Sequence, residues 1–252
     1  MHNASPNVFL IGFMGAGKSA VGRAVARLTS RVFLDLDEAI EQRTGMSIPE
    51  IFSTRGEAGF RRVEHAELKA ASEILDNLLP AKLPPCAGYQ ALARLEPCYE
   101  VGGDLYDAQV MPDGRYAFFI GDVVGKGLGA ALLVSHILSW ARFMIAEGWE
   151  AQPMISRLND QIFDCTDTVR FTTFFLGYLD PRTGVITYVN AGHNPPLVIR
   201  ASGEVDRLPA KGTVLGIFPE IGYEQQSVAF EPGDMIAIYS DGITEAENGD
   251  CD

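Results

Sequence analysis

The chain is poor in cysteine, short of basic residues and without a long apolar run. Its four cysteines (Cys86, Cys98, Cys165 and Cys251) stand far apart, with no C-x-x-C pair and no nearby histidine set. That spacing excludes a zinc site or a disulfide framework and reads as free thiols in a reducing cytoplasm. No stretch of eighteen apolar residues exists to span a membrane. The opening MHNASPNVFLIGFMGAGKS has neither the basic start nor the cleavage site of a signal peptide. Lys and Arg number 20 against 33 Asp and Glu, and the formal charge of −13 would repel a nucleic-acid backbone. With 47% hydrophobic and only 21% charged residues, the chain is not disordered.

The charge is unevenly placed. Residues 1–67 carry eight basic and eight acidic residues, and residues 68–252 carry the other twelve and twenty-five. The step predicts two differently built segments.

In the first segment Val8-Phe9-Leu10-Ile11 reads as a strand buried on both faces. It runs into Gly12-Phe13-Met14-Gly15-Ala16-Gly17-Lys18-Ser19, a G-x-x-x-x-G-K-[ST] phosphate-binding loop between strand and helix. Backbone N–H groups freed by Gly12, Gly15 and Gly17 would wrap the β-phosphate. Lys18 would reach the β- and γ-phosphates of ATP, and the Ser19 hydroxyl its Mg²⁺. A second run, Val32-Phe33-Leu34, ends in Asp35-Leu36-Asp37. Two residues apart on a strand, Asp35 and Asp37 would point the same way, toward metal and acceptor hydroxyl. They read equally as loop acids or a helix N-cap.

These residues resemble the shikimate kinase family over about 7–66, in GFMGAGKSAVGR, DLDEAIEQRTGMSIPEIF and GEAGFRRVE. The resemblance implies that Asp35 helps hold the hydration shell of Mg²⁺ and that Asp37 binds a shikimate hydroxyl. It also implies that Arg61 clamps the shikimate carboxylate, a task suited to a bidentate guanidinium. The lid arginine, the second substrate arginine and the adenine loop of such kinases have no recognisable counterpart after Glu67.

Leu68, Ala71, Leu75 and Leu78 follow helical spacing up to Pro80. The helix 67–79 either packs on its own domain or forms a homodimer. Beyond it come short strands rich in β-branched and aromatic residues, 115–122, 171–180 and 185–190, with a turn at Asp180-Pro181-Arg182-Thr183-Gly184. Helices are expected from Ala130 to about Arg142 and from Met154 to about Cys165.

Three acidic positions recur beside glycines at strand ends: Asp104 in EVGGD, Asp122 in GDVVGKG and Asp241 in YSDG. Each alone could be a hairpin turn. Together they could converge on hard cations, as metal-assisted hydrolysis of a phosphate ester requires. Gly125-Lys126-Gly127-Leu128-Gly129 is a poor dinucleotide loop, its third glycine misplaced.

The segment resembles the SpoIIE-like branch of the PPM-type serine/threonine phosphatases over about 67–249. The resemblance rests on LLPAKLP, EVGGDLYD, IGDVVGKGLGAALL, TTFFLGYLDPRTGVITYVNAGHNPPLVI, LGIF and EPGDMIAIYSDGITEA. It implies two stacked β-sheets flanked by helices and a site for two Mn²⁺ or Mg²⁺ ions. Asp104, Asp122, the Val123 carbonyl and Asp241 would be ligands, with Asp122 bridging. The implied substrate is a phosphoserine or phosphothreonine on an anti-sigma-factor antagonist. Eukaryotic relatives carry a histidine where this chain has Val123-Val124-Gly125, leaving the acid for the departing alkoxide unidentified. His193 reads either as a substitute or as a turn histidine satisfied by backbone. The family's D-D-x-T-like aspartate has no counterpart before Asp252, so hydrolysis is expected to be weak.

The expected architecture is an α/β P-loop fragment (1–66), a linker helix and turn (67–83) and an α+β phosphatase domain (84–252). Three functions compete: a phosphoprotein phosphatase with an appended kinase fragment, a shikimate kinase, or a non-catalytic fusion of two incomplete domains.

Overall fold

The computed structural model describes residues 23, 26–27, 36–56, 59, 78–95, 102–125, 128–166 and 170–244. The chain divides into two compact units, Met1–Ile74 and Leu75–Asp252. The break falls within the stretch expected to link two domains, whose helical stripe up to residue 77 lies outside the described residues.

In the first unit, helix α1 (Leu36–Thr44) is followed by α2 (residues 48–56). Gly45 leaves α1 at φ +66°, the left-handed conformation in which helices commonly end. Ser47 starts α2 through a capping box: the Glu50 carboxylate accepts its N–H at 2.8 Å and its hydroxyl at 2.7 Å. Fully buried Ile40 and Ile51 join the two helices, with Met46 and Ile48 packed around them. Asp37 lies in the first turn of α1, so it does not stand on a strand. Helix begins here because Leu36 to Thr44 lacks the β-branched run that would prolong a strand. The phosphate-loop residues Gly12, Gly15, Gly17, Lys18 and Ser19, with Asp35 and Arg61, lie outside the described residues.

The second unit holds two antiparallel sheets. Strands β1 (Asp104–Val110), β2 (Tyr116–Val123), β3 (Thr172–Asp180), β4 (Val185–Ala191) and β7 (Gln226–Ala229) lie side by side in that order. The smaller sheet has β5 (Leu197–Ile199) between β6 (Val205–Arg207) and β8 (Met235–Ala237). Helices α3 (Leu128–Ala146) and α4 (Ala151–Cys165) pack on the larger sheet.

Two cores follow from the strand period of two. On β3, Phe174, Leu176 and Tyr178 face the helices, while Phe175 and Leu179 meet Val198 and Leu208 between the sheets. Both faces are covered, so the strand shows no polar alternation. Each fully buried large apolar side chain contributes about 1.5–3 kcal/mol. The ring pairs Phe119–Phe174 (5.4 Å) and Phe175–Tyr188 (5.6 Å) add aromatic contacts on opposite faces. The expected turn is present: Asp180 accepts the Gly184 N–H at 2.9 Å, and Gly184 takes φ +69°.

One buried polar side chain fixes a loop. Asn159 on α4, fully buried, accepts the Gly216 N–H (3.0 Å) and the Tyr223 hydroxyl (3.1 Å) and donates to the Phe218 carbonyl (2.9 Å). All of its main bonding capacity is used, so its burial costs little.

Candidate functional site

The antiparallel register sets one end of the larger sheet. Asp104 on β1 lies opposite Asp122 on β2, and Asp122 lies opposite Thr173 on β3. Alternation puts all three on the face turned toward the smaller sheet, because Leu105, Val123 and Phe174 next to them belong to the helix-side core. The row is tied by backbone and hydroxyl bonds. Val123 N–H donates to the Gly103 carbonyl at 3.0 Å, and the Thr172 hydroxyl donates to the Asp122 carbonyl at 2.9 Å.

The smaller sheet delivers the third aspartate. Beyond β8 the chain reaches Ser240, whose hydroxyl donates to Asp104 Oδ2 at 3.1 Å. Exposed Asp241 then opens the four-residue helix α5 (Asp241–Thr244). Burial raises the pKa of Asp104 above the ordinary carboxyl value; the Ser240 bond opposes this, and the charge of Asp241 adds to it. The other oxygen, Asp104 Oδ1, is buried with no hydrogen-bond partner among the described residues. A buried carboxylate with a bare oxygen beside a second carboxylate is costly unless a cation or proton compensates it.

Gly103 makes the approach between β1 and β2 possible. A β-carbon there would fall 2.2 Å from the Val123 carbonyl oxygen and 3.1 Å from Asp122 Oδ1. The mouth therefore offers Asp104, Asp122 and the Val123 carbonyl as hard oxygen donors, the set that suits Mg²⁺ or Mn²⁺. The residues fit such ions. They do not enclose one unaided: among the described residues no group of three His, Cys, Asp or Glu side chains is arranged to hold a metal.

His193 lies beside this mouth and is 3% exposed. Its Nδ1 is 2.8 Å from the Thr173 hydroxyl, and its backbone N–H donates to Asn190 Oδ1 at 2.8 Å. One ring nitrogen of the imidazole is thus satisfied by a side chain on β3. Nε2 makes no well-formed hydrogen bond, although the Tyr239 main chain is near enough to favour the protonated ring. Burial nevertheless pulls the His193 pKa down to about 4, against the pull of Tyr239 and Asp241. A ring that is neutral at pH 7 has no imidazolium proton to give a leaving alkoxide. Ser240 carries no signal in sequence beyond its place beside Asp241, and Thr172 and Thr173 reach the site only through the strand register.

Known proteins share this arrangement of sheets and helices. This chain is similar in structure to part of the chain that holds the RsbU and RsbW domains of Rv1364c from Mycobacterium tuberculosis. The two agree with a TM-score of 0.53 and 28% identity, over 60% of this chain and 42% of that one. The profile of the Stage II sporulation protein E (SpoIIE) family matches residues 112–252, more than half of the sequence. The chain is 31% identical over 227 residues to the phosphoserine phosphatase RsbU of Bacillus subtilis, covering 88% of this chain and 67% of that protein. The chain belongs to the SpoIIE family and carries its phosphatase-type domain.

The shikimate kinase profile matches residues 14–77, about ten residues beyond the motifs that carry the resemblance. The shikimate kinase of Geobacillus thermodenitrificans is 60% identical over 58 residues, covering 23% of this chain and 31% of that enzyme. The chain spans between about a third and two thirds of the length of the curated relatives it matches. Among the described residues no helix is long and apolar enough to cross a membrane.

Proposed function

We propose that the Leu75–Asp252 unit hydrolyses phosphoserine or phosphothreonine on a regulatory protein of the anti-sigma-factor-antagonist type, using two Mn²⁺ or Mg²⁺ ions. One observation carries the reading: Asp104 keeps a buried, unpartnered carboxylate oxygen beside Asp122 and the Val123 carbonyl. Asp104, Asp122, Asp241 and the Val123 carbonyl would hold the ions, with Asp122 the ligand placed to be shared between them. When bound, the ions supply an activated water and offset charge on the phosphoryl oxygens. Ser240 keeps one oxygen of Asp104 occupied and so fixes how that carboxylate is turned. Gly103 lets the two aspartate-bearing strands close to the distance at which their donors can share a ligand.

The Met1–Ile74 unit binds ATP with Mg²⁺ through Gly12, Gly15, Gly17, Lys18 and Ser19, with Asp35 on the metal side. Asp37 and Arg61 are the acceptor-side residues for shikimate. The match to known shikimate kinases, which covers 31% of one such enzyme, supports nucleotide binding, and transfer to shikimate is not part of this reading. The free thiols of Cys86 and Cys165 are compatible with a cytoplasmic protein.

The test is release of phosphate from a phosphoserine peptide by the full chain. Release should require Mn²⁺ or Mg²⁺ and stop on chelation; release indifferent to chelator rejects the reading.

A further inference from the structure

Asp241 is the least anchored member of the site. It is exposed and opens a helix of only four residues. The bonds inside that turn are local, Ile243 N–H to the Ser240 carbonyl at 3.3 Å and the Thr244 hydroxyl to the Asp241 carbonyl at 3.0 Å. The Ser240 hydroxyl ties the turn to the larger sheet by its bond to Asp104. With no three-carboxylate cage closed, the placement of Asp241 decides whether an ion is held from both sheets.

The imidazole of His193 is held far more firmly. Asn190, which accepts its backbone N–H, is buried and also donates to the Leu208 carbonyl at 3.3 Å. Gly192, immediately before it, sits at φ +71°, and a β-carbon there would meet Val214 Cγ1 at 2.5 Å. Thr173 fixes Nδ1 from the strand that pairs with Asp122. Nδ1 and the Thr173 hydroxyl share one hydrogen bond, which leaves Nε2 as the other polar edge of the ring. That edge faces the main chain of Tyr239 and the charge of Asp241, and it is the one polar edge of the ring left without a well-formed bond.

We propose that His193 is a positioning residue. Braced by Thr173 and Asn190, its Nε2 edge holds the Tyr239–Asp241 turn against β3 and sets where the Asp241 carboxylate stands relative to Asp104 and Asp122. The inference rests on the phosphatase reading of the same site. It assigns a role to a side chain that touches neither substrate nor metal. Residues that orient metal ligands typically change metal affinity or activity by about 10–100-fold when removed.

Three substitutions separate the two ring nitrogens. Asn places its amide near the position of Nδ1, Gln near that of Nε2, and Ala removes both. Mn²⁺ binding to the full chain is read from the EPR signal of the free ion, counting the component that Asp122→Asn abolishes. His193→Gln should bind within about threefold of wild type. His193→Asn and His193→Ala should bind about 10–100-fold more weakly. At saturating Mn²⁺ the KM for p-nitrophenyl phosphate should stay unchanged in all three. Thr173→Val keeps the side-chain shape and removes the brace on Nδ1, so it should weaken Mn²⁺ binding in the same direction without loss of fold.

Wild-type affinity in His193→Asn, or equal weakening in all three variants in step with their melting temperatures, would overturn the positioning role. Wild-type protein that neither binds Mn²⁺ nor shows metal-dependent turnover would overturn the phosphatase reading and this inference with it. Metal-dependent wild type with an unaffected His193→Asn would overturn the inference alone.

Discussion

Adding one methyl group to Gly103 should disable the site while leaving the domain folded. In Gly103→Ala the new β-carbon would stand 2.2 Å from the Val123 carbonyl oxygen, 3.2 Å from the carbonyl carbon and 3.1 Å from Asp122 Oδ1. Ordinary contact between such atoms begins near 3.5 Å, so β1 and β2 must part locally by roughly 1 Å. The obstacle is backbone, and it is tethered: Val123 N–H donates to Gly103 itself at 3.0 Å. No rotamer change can relieve the clash. Overpacking of this kind costs about 1–3 kcal/mol, against about 5–15 kcal/mol for a typical domain, so the variant should fold. A displacement of about 1 Å among reacting groups can cost on the order of 10²-fold in rate. The assay is Mn²⁺-dependent hydrolysis of p-nitrophenyl phosphate at saturating metal, with a thermal melt on the same sample. A Gly103→Ala protein that turns over within threefold of wild type would refute the claim that the close approach of β1 to β2 builds the site.

Three further outcomes are expected. Asp104→Asn should abolish turnover yet stabilise the metal-free protein by about 0.5–2 kcal/mol, the range common when a strained functional residue is relieved. The sign follows from linkage: the raised pKa means the folded state binds the Asp104 proton more tightly than the unfolded state, whose value is near 3.8. This carboxyl's contribution to stability is therefore full below that value and lost as pH rises through the folded one; Asp104→Asn should flatten the acid side of the melting-temperature profile. Asn159→Ala should destabilise the larger unit by about 2–4 kcal/mol, because it strands the Gly216 N–H, the Tyr223 hydroxyl and the Phe218 carbonyl; a melting temperature within 2 °C of wild type, roughly the shift of a 1 kcal/mol change, would contradict this. The full chain should bind ADP in a titration that Lys18→Ala weakens, and a coupled ADP-release assay should show no shikimate-dependent turnover; turnover within tenfold of an ordinary shikimate kinase would reverse that reading.

The long elements were legible because burial on both faces leaves continuous apolar runs. Tyr116–Val123, Thr172–Asp180 and Val185–Ala191 lie within a residue of where composition put them. Helix α3 extends past Arg142 because Met144 and Ile145 continue its buried stripe. The three-residue strands β5, β6 and β8 are too short to show a period of two, and β1 (DLYDAQV) is masked by its own polar residues. Polar Asp107 in that strand is buried and paired with Arg142 of α3, a partnership invisible without the fold.

The three aspartates could be found because each sits in a glycine-flanked motif. What holds them could not, because Ser240 reaches Asp104 across 136 residues and Thr173 reaches His193 from another strand. Of the readings open for Asp37, strand end, loop acid or helix N-cap, the helical preference of Leu36–Thr44 rules out the strand.

The central claim is that Asp122, paired with Asp104 across β1 and β2, makes this a metal-dependent phosphatase. The most direct measurement is the turnover of a phosphoserine peptide by wild type and Asp122→Asn at saturating Mn²⁺, with melting curves confirming that both are folded. Loss of turnover by two orders of magnitude or more is predicted, since on the proposed reading Asp122→Asn removes a carboxylate that would hold the cations supplying nucleophile and charge stabilisation. Undiminished hydrolysis by a folded Asp122→Asn protein would contradict the account.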